Sequence, residues 1–135
     1  MTDATAIATL GNAARAARAH AHAPYSKFHV GAAVLLDNGQ SVIGANIENA
    51  SYGLTCCAER VAIFAARIQH PRARIIALAV SAGTDDFVHE THNTRMPCGA
   101  CRQVMMEFMA PEAPVWIDGV GAVPLSDLLP TPFKL

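Results

Sequence analysis

The chain has 135 residues, of which 52% are hydrophobic and 16% charged, so it can bury a substantial core and leaves little room for disorder. A formal net charge of −1 gives no electrostatic basis for binding nucleic acid, and no apolar run approaches the roughly 20 residues that span a bilayer. The first residues show no basic segment followed by an apolar core, so we expect no secretory signal. We therefore expect one domain over residues 1–135, in the cytoplasm, with its four cysteines reduced or bound to metal.

The first half of the chain predicts a helix followed by a β-hairpin. Residues 4–19 are rich in alanine and place their larger apolar side chains on one helical face. The apolar, β-branched run over residues 29–36 predicts a buried strand. Asp37-Asn38-Gly39 is a hairpin turn signal, so residues 41–46 are expected to return as a second, antiparallel strand.

The second half of the chain alternates helical and strand patterns. The expected elements are, in order, a helix from Cys57 that Pro71 ends, a strand buried on both faces over residues 74–82, an irregular loop over 83–96, a helix over 98–109, a strand over 114–117, and a short strand with a helical turn over 123–129. This alternation predicts an α/β layered fold with a mixed sheet.

Three cysteines stand in a pattern that is typical of catalytic zinc. Cys57 is followed two residues later by Glu59, and Cys98 and Cys101 form a Cys-x-x-Cys pair behind Pro97. A catalytic zinc takes three protein ligands and one water, and a metal ligand followed by x-E and then P-C-x-x-C is the signature of zinc-dependent base deaminases. We predict that the three thiolates bind one zinc ion. The alternatives are a buried core thiol at Cys57 and a redox pair at Cys98 and Cys101, neither of which explains Glu59.

The two residues after Ala58 are predicted to serve the metal without binding it. Zinc lowers the pKa of bound water to about 7, and a carboxylate at Glu59 could take that proton, deliver it to a ring nitrogen and later protonate a departing amine. Arg60 lies one helical turn from Cys57 and could donate to the thiolates, offsetting their charge. The alternatives are a glutamate that serves only the helix dipole and an ordinary surface arginine. Cys56 is predicted to be structural.

Five motifs together resemble the small, homotetrameric, zinc-dependent cytidine deaminases. The matching segments are 24–33 (Pro-Tyr-Ser-x-Phe-x-Val-Gly-Ala-Ala), 46–53 (Asn-Ile-Glu-Asn-Ala-Ser-Tyr-Gly), 57–60 (Cys-Ala-Glu-Arg), 97–103 (Pro-Cys-Gly-Ala-Cys-Arg-Gln) and 128–133 (Leu-Leu-Pro-x-x-Phe). The resemblance implies a three-layer α/β/α fold with a mixed, mostly five-stranded sheet and one zinc per subunit. It also implies hydrolysis of cytidine and 2′-deoxycytidine to uridine and 2′-deoxyuridine in pyrimidine salvage. Zinc-bound hydroxide would attack the amine-bearing ring carbon, releasing ammonia, while Glu59 shuttles protons.

The resemblance also assigns roles to residues around the metal. Asn46 and Glu48 occupy alternate positions where a strand ends, so their side chains should share one face, and the resemblance implies that they bind the ribose hydroxyls. Phe28 would pack against the pyrimidine, and the Ala58 backbone N–H would hold the base oxygen. Three further residues would reach the site of a neighbouring subunit: Ala50, Tyr52 and Phe133.

Other functions remain open at this point. The chain could be a relative of these deaminases that acts on a cytosine-bearing antibiotic or a modified nucleoside. The Asn46 and Glu48 pair favours an ordinary nucleoside. Editing of DNA or RNA is disfavoured, because no basic groove or aromatic platform is evident. A structural zinc module would need a fourth ligand, which His89 or His92 of the unusually long 83–96 loop could supply. The expected partners are thus a small nucleoside and other copies of the chain, without nucleic acid or membrane.

Overall fold

The computed structural model describes residues 2–83 and 92–135, with His92 described by its backbone. Its helices and strands are, in chain order, α1 (Ala4–Ala17), β1 (His29–Leu36), β2 (Ser41–Ala45), α2 (Ala58–Gln69), β3 (Ile75–Gly83), α3 (His92–Arg95), α4 (Gly99–Phe108), β4 (Pro114–Ile117), β5 (Gly121–Pro124) and α5 (Leu125–Leu128). Short 3₁₀ turns follow α1 at Arg18–His20 and precede α2 at Tyr52–Leu54. The helices of this described part are each too short or too polar to serve as a membrane span.

The five strands form one mixed sheet in the order β2-β1-β3-β4-β5. β3 and β4 run parallel, and the other three neighbouring pairs are antiparallel. The central strand β3 is buried along nearly its whole length, as its continuous apolar run predicts. The sheet therefore has the mixed, five-stranded form that the resemblance implies.

Helices cover both faces of this sheet. α1 packs Leu10 and Ala14 against Ala33, Ala77 and Ala79 on one face. On the other face lies the larger core, to which α2 and α4 contribute; its fully buried large side chains include Val34, Ile63, Leu78, Val80, Met105, Val115 and Ile117. The three-layer α/β/α prediction is confirmed.

Several element boundaries differ from the sequence-based expectation. α1 ends at Ala17 rather than at residue 19, because its last turn tightens into a 3₁₀ turn. Residues 92–95 form a short helix where a loop was predicted, and β5 begins at Gly121 because its register is set by pairing with β4. Residues 84–91 of the predicted loop, which include His89, lie outside the described residues.

The start of α2 lies unusually close to the sheet because Gly44 of β2 has no side chain. A Cβ atom at Gly44 would overlap the backbone of Ala62 and lie 2.6 Å from the carbonyl oxygen of Ala58. This close approach brings the first turn of α2, which carries Glu59, directly against the end of the hairpin.

Candidate active site

Three thiols meet where α2 and α4 begin. The Sγ atoms of Cys57, Cys98 and Cys101 all lie within 4.8 Å of one another, and those of Cys98 and Cys101 are 3.4 Å apart. Cys57 is the N-cap residue of α2 and Cys98 that of α4, while Cys101 is buried in the first turn of α4. None of the three forms a disulfide, and no other His, Cys, Asp or Glu joins this group among the residues described here.

The electrostatics of the cluster favour a negatively charged sulfur. A hydrogen bond from Cys101, helped by one from Arg60, lowers the pKa of Cys57 to about 5. The same hydrogen bond raises the pKa of Cys101. Arg60 donates from Nη2 to Cys57 Sγ over 3.2 Å, which in turn raises the pKa of Arg60. Three sulfur donors, one of them ionised and paired with arginine, fit a zinc ion that keeps an open fourth position.

Glu59 lies beside the thiols and is only 4% exposed. Burial raises the pKa of its carboxyl group to about 7, so the group exchanges a proton readily near neutral pH. A carboxyl pKa near neutral pH suits a general acid/base, whereas a glutamate that only complements a helix dipole does not need it.

A cavity of about 220 Å³ opens onto the thiols and Glu59. Of the residues predicted to contact substrate, Phe28, Asn46 and Ala58 line it together with Cys57 and Cys98. The remaining lining residues were not singled out by sequence reasoning: Val30, Thr55, Val80, Ala82, Thr94, Arg95 and Met96. The cavity thus combines an apolar wall with a few polar groups, as small-molecule sites generally do.

Asn46 and Glu48 both hydrogen-bond to the chain around the start of β1, Asn46 to Phe28 and Val30 and Glu48 to the preceding loop. The buried Asn46 side chain accepts from Val30 N at 2.9 Å and donates to Phe28 O at 2.8 Å, which fixes the backbone around Phe28. Glu48 lies in an adjacent depression that shares Thr55 with the main cavity.

The Glu48 carboxylate is the anchor of this loop. It accepts hydrogen bonds from the backbone N–H of Tyr25 at 3.0 Å and of Ser26 at 3.1 Å, and from the Ser26 hydroxyl. The hydroxyl bond is the main reason why the pKa of Glu48 is lowered. The group is therefore an ionised acceptor at neutral pH.

The three residues expected to reach a neighbouring subunit lie outside the main cavity of their own chain. Ala50 is exposed, Tyr52 is 78% exposed at the rim of the depression around Glu48, and Phe133 is 70% exposed. Gln103 holds the tail in place, donating to Phe133 O at 3.0 Å and accepting from Phe133 N at 3.3 Å. The aromatic ring of Phe133 is thereby presented outwards on a fixed backbone.

Two side chains near the site, Arg102 and Gln103, make contacts that the spacing of motifs along the sequence does not predict. Arg102 donates to the carbonyl oxygens of Pro97 and Leu128, which ties the start of α4 to the C-terminal segment. Both Arg102 and Gln103 stand in the motif that resembles the deaminases, but their partners Leu128 and Phe133 are distant in sequence. His89 lies outside the described residues.

Comparisons with known proteins agree on one class. Residues 5–116 match the family model described as "Cytidine and deoxycytidylate deaminase zinc-binding region". The cytidine deaminase of Halalkalibacterium halodurans is 46% identical over 121 residues, which cover 87% of this chain and 86% of that protein. The cytidine deaminase of Mycobacterium tuberculosis is 46% identical over 126 residues, covering 93% of this chain and 86% of that protein.

Solved structures of the same class share the fold. The crystal structure of cytidine deaminase from Mycobacterium tuberculosis superposes with a TM-score of 0.81 and 42% identity, covering 96% of this chain and 98% of that one. The crystal structure of cytidine deaminase from Burkholderia pseudomallei superposes with a TM-score of 0.80 and 43% identity, covering 93% of this chain and 98% of that one. The fold and the cysteine cluster of the chain are therefore those of a zinc-binding deaminase. More narrowly, it belongs to the cytidine deaminase family, and it is an enzyme with zinc as its cofactor.

Proposed function

We propose that this enzyme hydrolyses cytidine and 2′-deoxycytidine to uridine and 2′-deoxyuridine, releasing ammonia, as a step of pyrimidine salvage. One observation carries the proposal: a buried carboxyl group, Glu59, lies beside three clustered thiols in a cavity lined by Phe28 and Asn46. Relatives named cytidine deaminase at 46% identity support the choice of substrate.

Cys57, Cys98 and Cys101 would hold one zinc ion per subunit, leaving its fourth position open. When bound, zinc lowers the pKa of a coordinated water to about 7. Arg60 would stabilise the site by donating to Cys57 Sγ, because three thiolates on a divalent cation leave an excess negative charge. A structural zinc would instead need a fourth protein ligand, and none joins the cluster within the described parts of the chain.

Glu59 would move the protons of the reaction. Addition of water to the amine-bearing ring carbon requires a proton to leave the water and one to reach the ring nitrogen. Cleavage of the carbon–nitrogen bond then requires the proton of the added hydroxyl group to pass to the amine, which departs as ammonia and leaves the carbonyl of the uridine product. A carboxyl group with a pKa of about 7 can perform each of these transfers near neutral pH.

The nucleoside would be held at three points. The ring of Phe28 would pack against the pyrimidine, and the Ala58 N–H, at the start of α2, would donate to the base oxygen. Asn46 and Glu48 would bind the ribose hydroxyls, sharing or exchanging the hydrogen bonds that they now make with the start of β1 and with the loop before it. Binding of ribose would therefore be coupled to the position of Phe28, since Asn46 holds its carbonyl group.

The active form would be a homotetramer of single-domain subunits spanning residues 1–135, acting in the cytoplasm. Exposed apolar side chains support this proposal: Phe64 and Ile68 on α2, Leu54 before it, and Ile43 on the edge strand β2. Burial of such side chains favours association of subunits. Ala50, Tyr52 and Phe133 would then approach the site of a neighbouring subunit; the backbone of the exposed Phe133 is already held by Gln103.

The proposal is tested by measuring ammonia release from cytidine, 2′-deoxycytidine, cytosine and cytidine monophosphate with protein of known zinc content. Turnover of the two nucleosides, with little on the free base or the nucleotide, is the expected result. Zinc-loaded protein that turns over none of the four would refute the proposed substrate and favour a modified nucleoside.

A further inference from the structure

Thr94, Arg95 and Met96 form one wall of the cavity, here called the 94–96 wall. They stand at the end of α3 and directly before Pro97 and the zinc-binding thiol of Cys98. α3 has only four residues, and a helix of this length is not stable by its own hydrogen bonds. The position of the 94–96 wall therefore depends on contacts with the rest of the molecule.

Arg95 makes such a contact with the turn between β4 and β5. A Cβ atom at Gly119 would overlap Arg95 Nη1 and would lie 3.1 Å from Cζ and 3.4 Å from Cδ. The guanidinium group therefore occupies the space that any side chain at position 119 would need. Gly119 also has a φ angle of +85°, which favours glycine at this position.

The turn that receives Arg95 is firmly tied to the sheet and to α1. Asp118 donates its backbone N–H to Val80 O at 3.0 Å, and its side chain accepts from Ser81 Oγ at 2.8 Å. Arg15 of α1 adds two hydrogen bonds to the Asp118 carboxylate, at 2.9 and 3.0 Å. Gly119 is thus a fixed point against which a pocket wall can be held.

We propose that Arg95 is a positioning residue: its guanidinium, seated on the side-chain-free backbone of Gly119, holds the 94–96 wall against the bound nucleoside. The identity of the ligand rests on the proposed function, whereas the contact itself does not. Loss of the contact lets the wall move outwards, which weakens nucleoside binding while zinc and Glu59 stay in place.

The substitutions Arg95→Ala and Gly119→Ala test the contact from its two sides. Gly39→Ala is the matched control, because Gly39 has a φ angle of +86° but nothing within 4 Å of its would-be Cβ atom. Both substitutions place alanine at nearly the same positive φ angle, and only the one at 119 requires the Arg95 guanidinium to move. We expect Arg95→Ala and Gly119→Ala each to raise the KM for cytidine roughly tenfold, with kcat and zinc content near wild type. The double variant should raise the KM no more than Arg95→Ala alone, since Gly119→Ala acts through a contact that Arg95→Ala has already removed.

Hydrogen exchange of the backbone amides of residues 93–96 and of Cys98 gives a readout that needs no activity, Pro97 having no amide hydrogen. Exchange there should accelerate in Arg95→Ala and Gly119→Ala and stay unchanged in Gly39→Ala. Unchanged exchange in either variant, an unchanged KM, or equal effects of the two glycine substitutions would overturn the proposal. If wild-type protein fails to turn over cytidine, the proposed function fails, and the exchange data still decide whether Arg95 positions the wall.

Discussion

Arg60 places a positive charge beside the thiol cluster from within the helix that Cys57 caps. Its Nη2 lies 3.2 Å from Cys57 Sγ, and this hydrogen bond helps to lower the pKa of Cys57 to about 5. We expect Arg60→Ala to weaken zinc binding roughly 10–100-fold, the range seen when a group supporting a metal ligand is removed. Zinc retention in competition with a chelator measures the effect.

Arg67→Ala is the control for Arg60, since Arg67 is exposed in the last turn of the same helix. It should retain zinc like wild type. Equal zinc affinity in the Arg60→Ala and Arg67→Ala variants would show that Arg60 does not support the metal site.

Glu48 is ionised and already accepts three hydrogen bonds from Tyr25 and Ser26. If it also binds the ribose, Glu48→Gln should raise the KM for cytidine about tenfold, because a charged acceptor for the sugar hydroxyls is lost. Ser26→Ala removes one partner of the carboxylate but leaves its charge, so its KM should rise less. Steady-state kinetics with both variants makes the comparison, and a Glu48→Gln enzyme with wild-type KM would contradict the ribose assignment.

At the scale of elements, the site depends on how closely α2 approaches β2. Gly44 leaves no room for a Cβ atom between the strand and the backbone of Ala58 and Ala62. Gly44→Ala should therefore lower the free energy of unfolding by about 1–3 kcal/mol, the usual cost of overpacking. Gly53→Ala, where nothing lies within 4 Å of the would-be Cβ atom, is the control for denaturant unfolding. Equal stability of the two variants would show that α2 can shift freely.

Most elements were predictable because local patterns determine them. The bounds of β1 and β4 agree with the sequence, since each apolar run is limited by turn residues. Cys57 and Cys98 are the N-cap residues of their helices, which could be expected because helical periodicity begins directly after each. The motif spacing also anticipated which thiols lie together, because Cys98 and Cys101 are one helical turn apart.

The rest of the site depends on contacts between distant residues, which leave no periodic signal. The hydrogen bonds of Asn46 to the backbone of Phe28 and Val30 require the register of β1 and β2. The packing of Arg95 on Gly119 requires the parallel pairing of β3 and β4, which no local pattern encodes. Sequence reasoning placed Arg95 in an irregular loop for this reason.

For the molecule as a whole, the exposed aromatic tail gives a test of assembly. Phe133 is 70% exposed, yet Gln103 fixes its backbone on both sides. We expect Phe133→Ala to reduce cytidine turnover several-fold while the oligomer stays intact, because the ring would contact a neighbouring site. Turnover and the molar mass in solution are measured on the same sample.

Leu135→Ala is the control for the tail, since Leu135 is also exposed but was not assigned to any site. It should behave like wild type. Full activity of Phe133→Ala in an intact oligomer would remove Phe133 from the site, and a monomeric, fully active wild-type enzyme would refute the tetramer.

Glu59 is proposed to move protons in a zinc-dependent deamination, and cytidine turnover by zinc-loaded Glu59→Gln tests this role. Glutamine keeps the size of this buried side chain but cannot exchange a proton. We predict zinc content and unfolding temperature like those of wild type, with turnover reduced by at least about 10²–10⁴-fold, the contribution typical of a general acid/base. Near-normal turnover at full zinc content would show that Glu59 does not move the protons of the reaction.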